Sequence, residues 1–275
     1  MTDYVLNYTR QTDDNRDIKF PLILHKDINT RVFSLDKTNF KILDQGKLGS
    51  CVSNAISSCI NYYNDTINPS RLYIYFNARA MNKDINKDTG LAVRDGCKSV
   101  FEYHTCCEND WIYDITNFTK MPSLNCYTNS FNYKNFIYYS VSQDLAQLKT
   151  SLLSNNPIMF GFMVYKSFMS NDVSGNGIVP MPTETDFIVE ENGDHKVVGG
   201  HCALIVGFDD DTQYFSCVNS WSDNWGDKGF FYMPYQYILD TALAFDFTVI
   251  NFDSPTPIVI PISTKVKTNL KMQFM

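Results

Sequence analysis

The chain has 275 residues, of which 44% are hydrophobic and 15% aromatic, enough for one large domain or two modest lobes with a packed core. Its formal net charge of −7 argues against nucleic acid or an anionic membrane as the main partner. No stretch approaches about 18 consecutive apolar residues, so we expect no transmembrane helix.

The first 35 residues are polar and irregular. They lack the basic start and the apolar run of a secretory signal. We therefore expect the protein to remain inside the cell that makes it, or to be packaged there in a virus particle, rather than to be lysosomal or secreted.

Helical spacing of apolar residues begins just after a glycine-punctuated loop. The residues that share one face are Val52, Ala55, Ile56, Cys59, Ile60 and Tyr63. They predict a helix of roughly three to four turns that ends before Pro69. Two further helices are predicted over 70–81 and 93–103.

Strand patterns dominate the later part of the chain. After loop-like residues 117–140, Ser142 is the expected N-cap of a helix over 143–154. The predicted strands follow at 157–165, 197–208, 213–219, 229–235 and 244–251. Helices first and antiparallel strands later predict an α+β fold of two lobes with the active-site cleft between them.

Cys51 has the setting of a reactive thiol. It stands in the first turn of the first predicted helix, where free N–H groups and the helix dipole stabilise a thiolate. Gly46 and Gly49 precede it and let the backbone approach a substrate closely. Gln45 lies six residues before the cysteine, so its amide is a candidate donor to the oxyanion of an acyl-transfer intermediate.

His201 is the candidate base because of its place in a predicted hairpin. A three-residue turn at 209–211 would put His201 directly opposite Asn219. Side chains that face each other in this way have Cβ atoms about 5 Å apart, close enough for an amide to orient an imidazole.

Three segments of the chain resemble the papain-like cysteine protease family. They are Asp44-Gln-Gly-Lys-Leu-Gly-Ser-Cys51, Gly200-His-Cys-Ala-Leu-Ile-Val-Gly-Phe208 and Asn219-Ser-Trp-Ser-Asp-Asn-Trp-Gly-Asp-Lys-Gly-Phe-Phe231. Their order also fits, since His201 and Asn219 lie 150 and 168 residues beyond Cys51. The loop form with Leu-Gly-Ser-Cys is similar to the branch of this cathepsin-like family found in bacteria and large DNA viruses.

The resemblance implies a role for each matched residue. The catalytic set is Cys51 as nucleophile, His201 as base, Asn219 as the residue that orients the imidazole, and Gln45 in the oxyanion hole. The substrate-binding set is Gly90, Leu91 and Gly200 along the peptide, with Trp225 on the leaving-group side. Trp221 would shield the contact between His201 and Asn219 from water.

The chain departs from the family pattern at three positions. Leu48 replaces a cysteine that usually forms a disulfide beside the nucleophile, and its absence suits a reducing compartment. Val52 replaces an aromatic residue, and Gly200 stands where many relatives have an acidic residue. None of these changes removes a catalytic group.

The function expected from these residues is hydrolysis of peptide bonds through a thioester, in the manner of an endopeptidase. The alternatives are an amidase or acyltransferase with the same triad, and a binding or structural protein that kept the fold without catalysis. We expect a monomer that acts on protein or peptide substrates and needs no cofactor or metal. His104 with Cys106 and Cys107 leaves open a zinc site, although no second ligand pair has a convincing spacing.

The expected domain organisation is an N-terminal extension over 1–35, a peptidase domain over 36–250 and a surface tail over 251–275. Within the peptidase domain, the helical lobe covers about 40–117 and the β-sheet or barrel lobe about 118–250. The apolar cluster Phe20, Leu22, Ile23 and Leu24 suggests that residues 1–27 form a short pro-segment, with this cluster in the substrate pockets. The alternative is a strap on the outer surface of the β-lobe.

Overall fold

The computed structural model describes residues 4–21, 24–133, 135–187, 197–252 and 256–257. The first three helices are α1 (Cys51–Tyr63), α2 (Arg71–Met81) and α3 (Val93–Tyr103). They confirm the helices predicted from apolar spacing, with Ser70 capping α2 through a hydrogen bond from the Tyr73 N–H to its side chain.

Short helices and the strands complete the described chain. The helices are α4 (Leu124–Thr128), α5 (Leu145–Leu153), α6 (Asn171–Asn176), α7 (Glu184–Phe187) and α8 (Tyr235–Leu239). The strands are β1 (Val32–Ser34), β2 (Phe131–Asn132), β3 (Ile137–Ser140), β4 (Ile158–Tyr165), β5 (Val197–Asp209), β6 (Tyr214–Val218), β7 (Phe230–Pro234), β8 (Ala244–Asn251) and β9 (Thr256–Pro257). Residues 253–255 and 258–275 of the predicted tail lie outside the described residues.

The large sheet is antiparallel throughout and has the strand order β3-β8-β4-β5-β6-β7, with β1 paired to β5 as well. The 13-residue strand β5 lies near its centre. Helix α1 packs against β5, so the sheet and the helices meet where Cys51 and His201 lie. This arrangement confirms the predicted α+β class.

Two local predictions were wrong. The cap of α5 is Asp144 rather than Ser142, because the Asp144 carboxylate accepts the Gln147 N–H. The turn between β5 and β6 is longer than predicted, since Asp209 pairs with Tyr214, and the register also shifts between Ile205 and Gly207. The predicted register that put His201 directly opposite Asn219 therefore does not hold.

The packing of α1 against α3 depends on a glycine. A Cβ at Gly96 of α3 would lie 2.5 Å from Ile56 Cδ1 and 2.8 Å from Val52 Cγ1, both on α1. The two helices thus approach closely where Gly96 has no side chain. In the ranges that the structure describes, no helix combines the length and apolar character needed to cross a bilayer.

Gly96→Ala should destabilise the protein by about 1–3 kcal/mol, because the added methyl group forces the two helices apart. The matched control is Gly175→Ala in α6, where a Cβ meets nothing within 4 Å. The control should stabilise by up to about 1 kcal/mol through the lower entropy of the unfolded chain. Urea unfolding of both variants measures the difference, and equal midpoints would contradict the close packing.

Candidate active site

Cys51 is the first residue of α1 and is fully buried. The backbone N–H groups of Cys202, Val52 and Cys51 lie close enough to its thiol to lower its pKa. Burial is the larger effect and raises the pKa of the thiol to about 12. The contact with Cys202 brings the Cys51 thiol to the residue that follows His201.

His201 and Asn219 meet despite the shifted register. His201 Nε2 lies 2.8 Å from Asn219 Oδ1. Because an amide oxygen only accepts hydrogen bonds, the neutral imidazole carries its proton on Nε2 and has its lone pair on Nδ1. Nδ1 is buried and, among the described residues, has no hydrogen-bond partner. Burial lowers the pKa of His201 to about 4, and the bond to Asn219 opposes this shift.

The tryptophans pack around this pair. The Trp221 ring centroid lies 4.9 Å from that of His201, and Trp221 is only 1% exposed. Trp225 meets Trp221 edge to face at 5.0 Å and stacks on Phe168 at 5.6 Å. Trp221 therefore packs over the imidazole.

Gln45 lies beside the asparagine block. Its backbone N–H donates to the Ser220 carbonyl at 2.9 Å, and its Oε1 accepts the Ser220 hydroxyl at 2.8 Å. The amide Nε2 donates to the carbonyls of Leu48 at 3.0 Å and Val5 at 3.1 Å. The predicted oxyanion donor thus binds a carbonyl oxygen of the N-terminal segment.

Residues 4–9 cross the site in an extended form and are called the N-terminal strap. The Tyr8 N–H donates to the Gly200 carbonyl at 3.1 Å, and the Gly200 N–H donates to the Leu6 carbonyl at 3.3 Å. A Cβ at Gly200 would lie 2.9 Å from the Tyr8 carbonyl oxygen. Glycine at this position therefore allows the two backbones to pair.

The glycine segment faces the other side of the strap. A Cβ at Gly90 would lie 1.6 Å from the Asn7 carbonyl oxygen, and the φ of Gly90 is +71°. The Leu91 carbonyl accepts the Thr9 N–H at 3.2 Å. Gly90, Leu91 and Gly200, which the sequence predicts as substrate-binding residues, therefore all contact the strap backbone.

The start of the strap lies on the tryptophans. The Tyr4 ring stacks on Trp221 at 4.5 Å, and its hydroxyl donates to the Trp221 carbonyl at 3.0 Å. A pocket of about 230 Å³ lies here, lined by Tyr4, Trp221, Trp225 and their neighbours. Trp225 is thus beside the strap at the end opposite Gly90.

Tyr8 and Asp246 are site residues that the sequence reasoning missed. The Tyr8 hydroxyl donates to Asp246 Oδ2 at 2.7 Å, and its ring lies against Gly161 and Phe245. Burial raises the pKa of the Asp246 carboxyl. The alternation of Tyr4, Leu6 and Tyr8 in a polar start is the signal that would have indicated an extended apolar strap.

The cluster that the sequence placed in the substrate pockets lies elsewhere. Phe20 packs edge to face on Tyr139 of β3 at 6.0 Å, and Leu24 is 52% exposed. Leu22 and Ile23 lie outside the described residues. The prediction was wrong for Phe20 and Leu24, because strand β3 rather than the cleft offers Phe20 an aromatic partner.

The cysteines that left open a zinc site have different surroundings. Cys106 hydrogen-bonds to the Cys126 thiol and packs on Tyr73, while Cys107 is partly exposed. Within residues 4–252, apart from 22–23, 134 and 188–196, three or more His, Cys, Asp or Glu side chains never come together as a metal site would need.

Comparison with known proteins decides the family. Residues 84–242 match the family described as papain family cysteine protease, a range that includes His201 and Asn219 and begins after Cys51. Over 222 residues the chain is 37% identical to an uncharacterised peptidase C1-like protein of Acanthamoeba polyphaga mimivirus. The alignment covers 76% of this chain and 68% of that protein. The chain belongs to the papain family of cysteine proteases.

Solved structures of papain-family proteases share its fold. Xylellain, a cysteine protease from Xylella fastidiosa, has a TM-score of 0.77 and 32% identity over 90% of this chain and 96% of its own. A digestive procathepsin L2 from Tenebrio molitor has a TM-score of 0.63 over 90% of this chain and 78% of its own, and at 17% identity it shows the fold alone. The chain is thus a cysteine protease with the two-lobed α+β papain fold.

Iodoacetamide should react slowly with Cys51 in the full chain at neutral pH, because only the thiolate attacks and burial favours the thiol. The fraction of Cys51 thiolate increases as the pH rises towards the pKa of the thiol. The labelling rate should therefore increase about tenfold per pH unit and reach no plateau below about pH 10. Mass spectrometry of digested protein measures this, with the partly exposed Cys107 as an internal control. A plateau between pH 5 and 8 would reveal a preformed thiolate–imidazolium pair and contradict the prediction.

Proposed function

We propose that this papain-family protease is an endopeptidase that cleaves peptide bonds through a thioester at Cys51. The observation that carries the proposal is the hydrogen bond between His201 and Asn219, which leaves Nδ1 as the basic nitrogen. Cys202, the next residue on the strand, has its backbone N–H close to the Cys51 thiol. Membership in the family supports peptide hydrolysis, and a cleft that accommodates an extended backbone on both sides supports internal cleavage.

In the proposed reaction, His201 Nδ1 takes the proton of the Cys51 thiol, and the sulfur attacks the substrate carbonyl carbon. Gln45 Nε2 and the Cys51 N–H donate to the oxyanion that forms. The imidazolium then gives its proton to the leaving amine, and water attacks the thioester to release the acid. Asn219 keeps the imidazole in the tautomer and orientation that these steps need.

Two alternatives would use the same site differently. An amidase or acyltransferase would act on small amides but leave unfolded casein intact, whereas a non-catalytic binding protein would convert neither. Internal fragments of casein, identified by mass spectrometry, would distinguish an endopeptidase from an enzyme that removes terminal residues.

Cys51→Ala and His201→Ala should abolish turnover, and Asn219→Ala should reduce it less, because Asn219 only orients the ring. Gln45→Ala should lose about 100- to 1,000-fold in kcat with little change in KM, since its donor acts on the transition state. A fluorogenic peptide assay, with an epoxide inhibitor that labels Cys51, measures these losses. If folded Gln45→Ala had the same kcat as the wild-type protein, Gln45 would not be part of the oxyanion hole.

We further propose that the N-terminal strap inhibits the enzyme in the full chain. The Val5 carbonyl occupies the amide of Gln45, and strap backbone occupies the pairing edge at Gly200. A substrate needs the same groups, so strap and substrate exclude each other. The low basicity of buried His201 and the high pKa of buried Cys51 are further consequences of a covered site.

The direction of the strap explains why it need not be cleaved. By family resemblance, Trp225 lines the leaving-group side and Gly90 binds the acyl side. The leaving amine belongs to the residue after the scissile bond, so a substrate runs from Gly90 towards Trp225. The strap runs the other way, from Trp221 to the contact between Thr9 and Leu91, and presents its peptide bonds in reverse.

The strap continues into residues that are anchored outside the cleft. Arg94 of α3 forms a two-pronged ion pair with Asp17 and donates to the Thr12 carbonyl at 2.9 Å. The Gln11 N–H donates to Asp246 at 2.9 Å. A deletion that stops at residue 9 therefore removes the occupant of the cleft and keeps these anchors.

Deleting residues 1–9 should raise the turnover of a short fluorogenic peptide at least about tenfold, because the strap no longer competes with substrate. Tyr8→Ala should do the same in the full chain to a smaller extent, since it removes one anchor of the strap. Arg16→Ala is the control, because Arg16 is exposed and pairs with Asp14 outside the cleft. Wild-type turnover in both folded strap variants would rule out inhibition by the strap.

A further inference from the structure

The nucleophile loop has no covalent tie to the glycine segment. Leu48 is buried where the family pattern has a disulfide-forming cysteine, and all eight cysteines lie in the described part of the chain as free thiols. Yet Gly49 and Gly90 both lie against Asn7 of the strap, since a Cβ at either glycine would meet that residue, and a substrate that replaces the strap needs a fixed distance between the two glycines. Some noncovalent contact has to maintain that distance.

Asp88 makes this contact. Its two carboxylate oxygens accept the Gly49 N–H at 3.1 and 2.9 Å, two residues before Cys51. A Cβ at Gly49 would lie 2.9 Å from Asp88 Oδ1, so glycine is what allows the carboxylate to come so close. A hydrogen bond from a backbone N–H to a carboxylate is stronger than one between neutral groups.

Tyr75 extends the contact to the substrate-binding glycine. Its hydroxyl donates to Asp88 Oδ1 and accepts the Gly90 N–H at 3.2 Å. Tyr75 lies in α2 and is fully buried, so its position is fixed by the core. A continuous relay therefore runs from Gly49 through Asp88 and Tyr75 to Gly90.

Arg79 holds the rest of the segment to the same helix. Its guanidinium packs over the Tyr75 ring at 4.2 Å. It donates to the carbonyls of Ile85 and Lys87, each at 2.9 Å. Helix α2 thus supports the segment that carries Asp88 and restricts its movement.

The charge of Asp88 does not help the thiol. It lies near enough to add to the rise in the pKa of Cys51, although burial is the larger cause. A carboxylate that disfavours the thiolate is not explained by nucleophile activation. Its hydrogen bonds to the loop are the contribution that the geometry supports.

We propose that Asp88 is a positioning residue that holds the nucleophile loop against the glycine segment through its bonds to Gly49 and Tyr75. It thereby replaces the disulfide of the family pattern in a chain that has Leu48 instead. This inference rests on the proposed function, since it concerns the alignment of Cys51 with a substrate bound at Gly90.

The test uses the full chain carrying Tyr8→Ala, which makes the cleft accessible, and compares Asp88→Ala with Asp84→Ala. Asp84 is an acidic residue of the same segment that Arg79 contacts through the backbone carbonyl. Asp88→Ala should lose about 10- to 100-fold in kcat/KM for a fluorogenic peptide, with a lower kcat and a higher KM, because both sides of the substrate lose alignment. Asp88→Asn keeps one acceptor oxygen and should lose less.

Iodoacetamide labelling separates positioning from general damage. Removing the charge of Asp88 lowers the pKa of Cys51, so labelling at pH 7 should be as fast as in Asp84→Ala or faster, while peptide turnover falls. Turnover equal to that of Asp84→Ala would overturn the proposal. A parallel fall of turnover, labelling and folded fraction would overturn it too.

Tyr75→Phe removes the hydroxyl that joins Asp88 to Gly90 and keeps the aromatic ring. This variant tests the proposal if Asp88→Ala does not fold. It should also lose turnover, and an unchanged kcat/KM would count against the relay. Cys51→Ala in the same series distinguishes the two proposals. Turnover that survives in Cys51→Ala refutes the thiol mechanism, whereas an inactive Cys51→Ala beside a fully active Asp88→Ala refutes only the role of Asp88.

Discussion

The first turn of α1 packs against the middle of β5, and the proposed catalytic groups are positioned through that contact. Of the 13 residues of α1, 12 are buried, so the helix is enclosed by the rest of the protein rather than lying on its surface. The Cys202 N–H reaches the Cys51 thiol across this interface, and His201 precedes it on the same strand. Because the sheet carries His201 and the helix carries Cys51, the proposed site exists only when both are packed together.

Burial has two opposite consequences for this site. Removal of water strengthens the hydrogen bonds that Asn219 and Gln45 make, since competing solvent is absent. The same dry surroundings disfavour charge, so they keep Cys51 a thiol and His201 a neutral imidazole. In the proposed inhibited state, the site under the N-terminal strap is therefore well ordered and poorly reactive at once.

Noncovalent ties hold the loops around the site in a chain whose cysteines are all free thiols. Arg71 joins Glu108 to the Asp44 carbonyl, and thus connects the loop after α3 to the loop before Cys51. Tyr113 adds a hydrogen bond to the Gln45 carbonyl at 2.9 Å. These charged and aromatic contacts are partly buried, where they are less screened by water than surface pairs.

Periodicity and the order of helices and strands were enough to predict α1, α2, α3 and the fold class, because each depends on residues near one another in sequence. The set Cys51, His201, Asn219 and Gln45 was predicted from family motifs that are each local in sequence, and its catalytic role stays a prediction. The sequence did not determine the register of β5 with β6, since the carboxylate of Asp209 binds the amides of Asp211 and Thr212 and lengthens the turn. Only the tertiary structure decided that residues 4–9 rather than Phe20 enter the cleft, and that Asp88 and Asp246 form hydrogen bonds to Gly49 and Tyr8 beside it. These contacts join residues that are far apart in sequence. They form only where the folded chain brings backbone donors and aromatic surfaces within hydrogen-bond or packing distance, and a local sequence pattern does not contain that information.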